Sequence, residues 1–193
     1  MTPHRLAILI SGRGSNMAAL SRAVASGELQ GRCQIAAVIS NEPAAAGVQL
    51  ARELGHPAMV VPSAGLDTVA YGKRLLDALA EIKPDWIALA GFMRIISPEV
   101  VARYRNRIVN IHPADTRAYQ GPDGYGWAHE AGLDKTWITI HQVDEGIDTG
   151  EILEQAEVDL RGAETLDEVR TRGLIVEHRL YPRVLARLLS EVR

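Results

Sequence analysis

Short, unbroken apolar runs recur along this chain, each followed by a segment with helical rhythm, and that alternation constrains the fold more than any other feature. Leu6-Ala7-Ile8-Leu9-Ile10 is the first run; Ser11-Gly12-Arg13-Gly14-Ser15-Asn16 ends it, and Met17 to Val24 then carries apolar residues at helical spacing. The same unit returns: Ile35 to Ile39 reads as a strand, Ala44 to Leu54 as a helix closed by Gly55, and Ala58 to Val61 as a strand. Leu66 to Ile82 follows as a helix stopped at Pro84, Trp86 to Ala90 is a buried strand, Ser97-Pro98-Glu99 opens a short helix, and Ile108 to Ile111 is a fifth strand. Strands that are apolar on both faces need helices on both faces, which means a doubly wound, mainly parallel α/β sheet. In such a sheet the binding crevice lies beyond the carboxyl ends of the strands, here Ser11 to Asn16, Gly91 to Ile96 and His112 onward.

The rhythm changes after His112. Pro113 to Gly126 holds three glycines and two prolines with no period and reads as a long loop, of the kind that forms lids. Trp137 to His141 alternates like a strand and Gly150 to Leu160 reads as another. Thr165-Leu166-Asp167-Glu168 is a capping box that opens a helix to the C-terminus, with a kink expected at Pro182. No repeat or linker interrupts the pattern, so residues 1–193 read as one domain.

A length of 193 residues suffices for a core without staples, and the one cysteine, Cys33, cannot form an internal disulfide. A reducing, cytoplasmic setting is the expectation. Twenty-one Lys and Arg against 24 Asp and Glu argue against a nucleic-acid partner. The longest apolar run, about Trp86 to Met93, falls far short of the ~20 residues that cross a bilayer, so no membrane partner is expected. A homodimer is left open.

Three clusters carry candidate chemistry. The turn at Gly12 to Asn16 opens a helix, where unpaired N–H groups and about half a positive charge favour an anion. Met17 stands where a dinucleotide fingerprint has its third glycine, and no Gly-Lys-Ser/Thr follows, so neither that site nor a P-loop is expected. Asn110 and His112 share one side of the fifth strand, a proton carrier beside an amide that can donate to a developing oxyanion. Asp144 to Gly150 is an acidic loop whose carboxylates could orient His112 and favour its protonated form. No zinc-ligand or EF-hand spacing occurs, and no metal is expected.

Leu9 to Asn16, Leu89 to Pro98, Asn110-Ile111-His112-Pro113 and Asp144 to Gly150 resemble, in order and spacing, the signatures of the phosphoribosylglycinamide formyltransferases, within the folate-dependent formyltransferase family. The resemblance implies a formyl donor, 10-formyltetrahydrofolate, and a phosphorylated amine acceptor, typically glycinamide ribonucleotide in purine synthesis. By position it implies Asn110, His112 and Asp148 as catalytic residues, and Gly14, Ser15, Asn16 and Glu177 at the acceptor's phosphate and ribose. Met93, Arg94, Ile96, Val143, Asp144 and Glu145 would line the folate pocket, partly through backbone groups.

The chain departs from the family pattern in the lid, where Ala114-Asp115-Thr116-Arg117 replaces Ser-Leu-Leu-Pro and Gly121-Pro122-Asp123 replaces Gly-x-His. Leu174 also stands where Lys or Gln is usual. Other readings are formyl transfer to a different small amine, such as an amino sugar nucleotide, hydrolysis of the donor, or a non-catalytic binding module. Family hydrolases carry a leading domain and family transferases acting on initiator tRNA a trailing one, and 193 residues leave room for neither.

Overall fold

The computed structural model describes residues 2–191; of the domain expected at 1–193, positions 1, 192 and 193 lie outside the described residues. Strand β1 (His4–Ile10) leads through α1 (Ser15–Ser26) to β2 (Cys33–Ser40), α2 (Ala46–Glu53), β3 (Ala58–Val60) and α3 (Thr68–Ile82). The chain then returns across the sheet through β4 (Trp86–Leu89), α4 (Pro98–Arg103) and β5 (Ile108–His112). It ends with α5 (Gly124–Glu130), β6 (Lys135–Gln142), β7 (Ile152–Asp159) and α6 (Leu166–Glu191).

The seven strands form one sheet in the order β3-β2-β1-β4-β5-β6-β7, parallel through β5, with β6 antiparallel to β5 and β7 antiparallel to β6. Its direction of winding reverses between β1 and β4, so the crevice opens there.

Alternation along β1 explains why both faces are covered. Leu6, Ile8 and Ile10 pack with Met17 and Leu20 of α1 and Leu180, Tyr181, Val184 and Leu185 of α6. Ala7 and Leu9 face Tyr71, Leu75 and Leu79 of α3 and Val100 of α4. Each fully buried Leu or Ile contributes about 1.5–3 kcal/mol, so neither face could be left open. Asp67 caps α3 by accepting from the Ala70 N–H at 2.7 Å, and Lys83 ends that helix at φ 51° just before Pro84. The expected capping box is present: Thr165 N–H donates to Glu168 Oε2 at 3.0 Å, and Glu168 N–H donates to Thr165 Oγ1 at 3.3 Å.

One detail differs from the sequence reading. Gly124 to Glu130 is helical although its glycines disfavour a helix; Tyr125 and Ala128 are buried in the α6-side core, and that packing overrides local propensity. Helix α6 runs unbroken through Pro182, which is buried. No described helix is long and apolar enough to cross a membrane.

Candidate active site

Helix α1 begins at the crevice with Gly14 at φ 80°, no side-chain cap and no acidic residue in its first turn. The N–H groups of Ser15 and Asn16 have no hydrogen-bond partner among the described residues, which leaves the positive end of the helix free for an anion. A side chain at Gly14 would be strained at φ 80° and would lie 3.0 Å from the Gly47 Cα, so a substitution there disturbs the packing of α2 on the turn. The turn is glycine-rich because α2 packs directly on it, Gly47 N–H donating to the Gly12 carbonyl at 2.9 Å. A cleaner test is Ser15→Asp, which sets a negative charge at the helix terminus. It is expected to weaken binding of a phosphorylated acceptor about tenfold or more in calorimetry, while Ser15→Ala changes it little. Equal affinity of the two variants would place the phosphate elsewhere.

Strand alternation puts Asn110 and His112 on one face of β5, and the β5–β6 register sets His141 opposite Asn110 and Thr139 opposite His112. The loop after β6 folds back because Gly150 lies directly against the Gln142 carbonyl, where any side chain would collide. That return delivers Asp148, at φ 52°, to the two strands. Asp148 Oδ1 accepts from Asn110 Nδ2 at 3.2 Å and lies 3.4 Å from His141 Nε2; Oδ2 accepts from the Gly121 N–H at 3.0 Å and lies 3.4 Å from His112 Nδ1.

The three residues expected to act together therefore meet, and His141, absent from the sequence-level set, joins them. Alternation in Trp137 to His141 offered the signal, since it puts Thr139 and His141 on one face, but the register that aims that face at Asn110 was not readable. His141 Nδ1 lies 2.7 Å from the Gln142 carbonyl, an acceptor, so that nitrogen carries the hydrogen. In the neutral ring Nε2 then accepts from Asn110 Nδ2 at 3.1 Å.

His112 is 4% exposed. Burial lowers its pKa below the ordinary histidine value; the Asp148 charge pulls it up, His141 opposes, and burial prevails. The carboxylate beside His112 thus does not make the imidazolium the resting form, contrary to expectation, because desolvation costs more than the ion pair returns. Burial also pushes the Asp148 carboxyl up, but the two imidazole rings that face it and the Gly121 N–H hold it below the ordinary value.

A depressed imidazole pKa means that the unfolded chain binds the proton more readily, so stability from this group is full above about 6.5 and lost as pH falls. The activity limb has the same sign. kcat/KM is expected to fall as pH drops below about 6.5, and a His112-dependent limb centred above that value would contradict the assignment.

The lid segment lies over this group. His112 Nε2 is 3.1 Å from the Tyr119 carbonyl, and the Tyr119 ring stacks on Trp127 at 4.9 Å between centroids. The residues that depart from the family pattern at its root are knitted to the sheet: Asp115 accepts from Arg117 Nε at 2.9 Å and from Gln155 Nε2 at 3.1 Å, which holds its carboxyl at about 2.

In the loop after β4, Met93 is 67% exposed and its N–H is committed to Ser11 Oγ at 2.7 Å, so its side chain is what it presents to solvent. The Arg94 guanidinium turns inward, donating to the Leu66 carbonyl at 2.8 Å and covering the Tyr71 ring at 5.7 Å. The backbone N–H groups of Arg94 and Ile96 have no partner among the described residues. A cavity of about 290 Å³ is lined by Val101, Arg105, Asn106, Val143, Asp144 and Glu145. Within that loop the Asp144 carboxylate is spent on its own turn, accepting from Gly146 N–H at 3.0 Å and Thr149 Oγ1 at 2.7 Å, and Glu145 is exposed.

Glu177 is 4% exposed and burial raises its pKa; one oxygen accepts from the Tyr125 hydroxyl and the other from Asn16 Nδ2. It stands behind the anion turn with both oxygens engaged by the protein.

Residues 4–185 match the family model described as formyl transferase. The trifunctional purine biosynthetic protein adenosine-3 of Drosophila melanogaster is 38% identical over 187 residues, which are 96% of this chain and 14% of that protein. The phosphoribosylglycinamide formyltransferase of Escherichia coli (strain K12) is 33% identical over 94% of this chain and 85% of that enzyme. The crystal structure of phosphoribosylglycinamide formyltransferase from Bacillus halodurans superposes with a TM-score of 0.91 at 36% identity, covering 98% of this chain and 97% of that one. The chain thus spans a small part of the first of these relatives and most of the other two. With the family model matching almost the whole sheet, and with an amide, an imidazole and a carboxylate gathered at its rim, this chain belongs to the formyl transferase family.

Proposed function

We propose that this chain transfers the formyl group of 10-formyltetrahydrofolate to the primary amine of glycinamide ribonucleotide, a step of de novo purine synthesis. The convergence of Asn110, His112 and Asp148, at the same end of the sheet as a free helix terminus, carries the reading.

The site's groups fit the reaction in order. At rest His112 Nε2 carries the hydrogen, which faces the Tyr119 carbonyl; once the lid withdraws, the neutral ring holds its hydrogen at Nδ1 toward Asp148 Oδ2, 3.4 Å away. Nε2 can then take the proton that the attacking amine sheds, with Asp148 holding the imidazolium, and give it to the folate nitrogen as its bond to the formyl carbon breaks. Asn110 supplies an amide N–H to the oxygen that gains charge as the formyl carbon becomes tetrahedral. Both Asn110 hydrogens are engaged at rest, by Asp148 and by His141 Nε2. The developing oxyanion, a stronger acceptor than a neutral ring nitrogen, draws one Asn110 hydrogen away from His141 Nε2. The Tyr119 carbonyl has to leave His112 Nε2 for substrate to reach it, which makes the lid part of each turnover. The phosphate seats on Ser15 and Asn16. The folate ring takes the cavity beside Val143, with the free N–H groups of Arg94 and Ile96 as its polar anchors. The buried Cys33 thiol supports a reducing, cytoplasmic location.

A different phosphorylated small amine is the second reading, and Glu177 favours it, because a carboxylate engaged by Tyr125 and Asn16 is not free to read ribose hydroxyls. An acceptor screen with 10-formyltetrahydrofolate, following tetrahydrofolate release, separates the cases. Release that depends on glycinamide ribonucleotide is the expected result. Dependence on another amine supports the second reading, release without acceptor identifies a hydrolase, and no release identifies a binding module.

A further inference from the structure

Ser11 ends the central strand at the point where the winding reverses, and it touches both halves of the crevice. Its N–H donates to the Gly91 carbonyl at 3.1 Å, and its Oγ accepts from the Met93 N–H at 2.7 Å. The anion turn and the loop at residues 91–96 are thereby joined through one residue.

The direction of these bonds is fixed from behind. Asn41, 2% exposed at the end of β2, donates through Nδ2 to Glu42 Oε1 and to Ser63 Oγ, each at 3.0 Å. Since the Glu42 carboxylate only accepts, the Asn41 amide cannot turn over, and its Oδ1 must face Ser11. The Ser11 hydroxyl spends its one hydrogen on Asn41 Oδ1, which leaves its lone pairs to the Met93 N–H. The strand register brings these groups side by side, Ile10 pairing with Ser40 and Leu9 with Leu89.

We propose that Ser11, oriented by Asn41, is a positioning residue that locks the 91–96 loop onto the anion turn and so sets the separation of bound donor and acceptor. The inference rests on the proposed function for the identity of the two ligands, and on hydrogen bonds alone for the lock. Both act through the loop and neither is a catalytic residue. The effect arises because a loop freed of the Met93 bond samples more positions, and a donor bound against it must then order it, which costs affinity.

The test compares full-length wild type, Ser11→Ala and Ser11→Thr. Amide hydrogen exchange at Met93 should speed up about tenfold in Ser11→Ala and return in Ser11→Thr, which keeps the hydroxyl. In steady state Ser11→Ala should raise the donor KM and lower kcat together, with kcat/KM for the donor down about tenfold and restored by Ser11→Thr. Calorimetry with tetrahydrofolate, alone and with glycinamide ribonucleotide present, reads the coupling between sites without turnover, and any coupling in the wild type should shrink in Ser11→Ala.

Unchanged Met93 exchange in Ser11→Ala, or an unchanged donor KM and kcat, overturns the inference. A wild-type chain that binds no tetrahydrofolate removes the functional reading and this inference with it, whereas wild-type binding with an unaltered Ser11→Ala removes this inference alone.

Discussion

Asp148→Asn is expected to lower kcat at least ~100-fold while the chain still folds, at a melting temperature somewhat below wild type. The substitution preserves size, and asparagine tolerates the left-handed backbone that position 148 adopts. What it removes is an acceptor on one side and the charge on both. Oδ1 faces Asn110 Nδ2 and His141 Nε2, and Oδ2 faces His112 Nδ1 and the Gly121 N–H. An amide NH₂ in either place confronts a donor, and the imidazolium formed during turnover loses its counter-charge. Steady-state rates of the purified variant with 10-formyltetrahydrofolate and saturating acceptor check this, with tetrahydrofolate calorimetry as the control for an intact donor site. A kcat near wild type would show that Asp148 merely ties the loop down.

His112→Ala should cost at least as much in rate, because it deletes the proton carrier itself. It also leaves the Tyr119 carbonyl without its partner beside a new void, so some loss of stability, about 1–3 kcal/mol, is expected alongside. For that reason His112→Gln is the informative companion, since it can still hydrogen-bond to the lid but cannot shuttle a proton near neutral pH. Both variants should lose the acidic limb of the rate profile that His112 produces below about 6.5. If His112→Gln folds normally and turns over near the wild-type rate, proton transfer runs through another group, and His141, across the same carboxylate, becomes the first alternative to test.

Local periodicity revealed most of the scaffold. Leu6 to Ile10 had to be a strand covered on both faces, Pro84 stops a helix because it has no N–H to continue it, and the Thr165 to Glu168 box opens one by bonds that close within four residues. The α5 helix was not legible, since Gly124 to Glu130 is helical through packing of Tyr125 and Ala128 rather than through propensity. Among the site residues, Asn110 and His112 were legible as a pair by strand alternation, and Asp148 entered by family resemblance. His141 was not legible, because a cross-strand partner depends on register, and register is set by the whole hairpin. Nor could the order of terms at His112 be read, because a nearby carboxylate raises a histidine pKa and burial lowers it, and only the packed structure shows that burial prevails. The same holds for Glu177, which takes its partners from α1 and α5 and so acquires them only when those helices close over it.

The amino-acid sequence alone determined the parallel sheet, its crevice and the glycine turn at the head of α1, because strand and helix periods and turn chemistry are properties of neighbours along the chain. Tertiary structure alone decided which polar groups share hydrogen bonds, which way Asn41 and Ser11 point, and which protonation state of His112 prevails. Those depend on atoms brought together from distant segments, and on the water their meeting excludes.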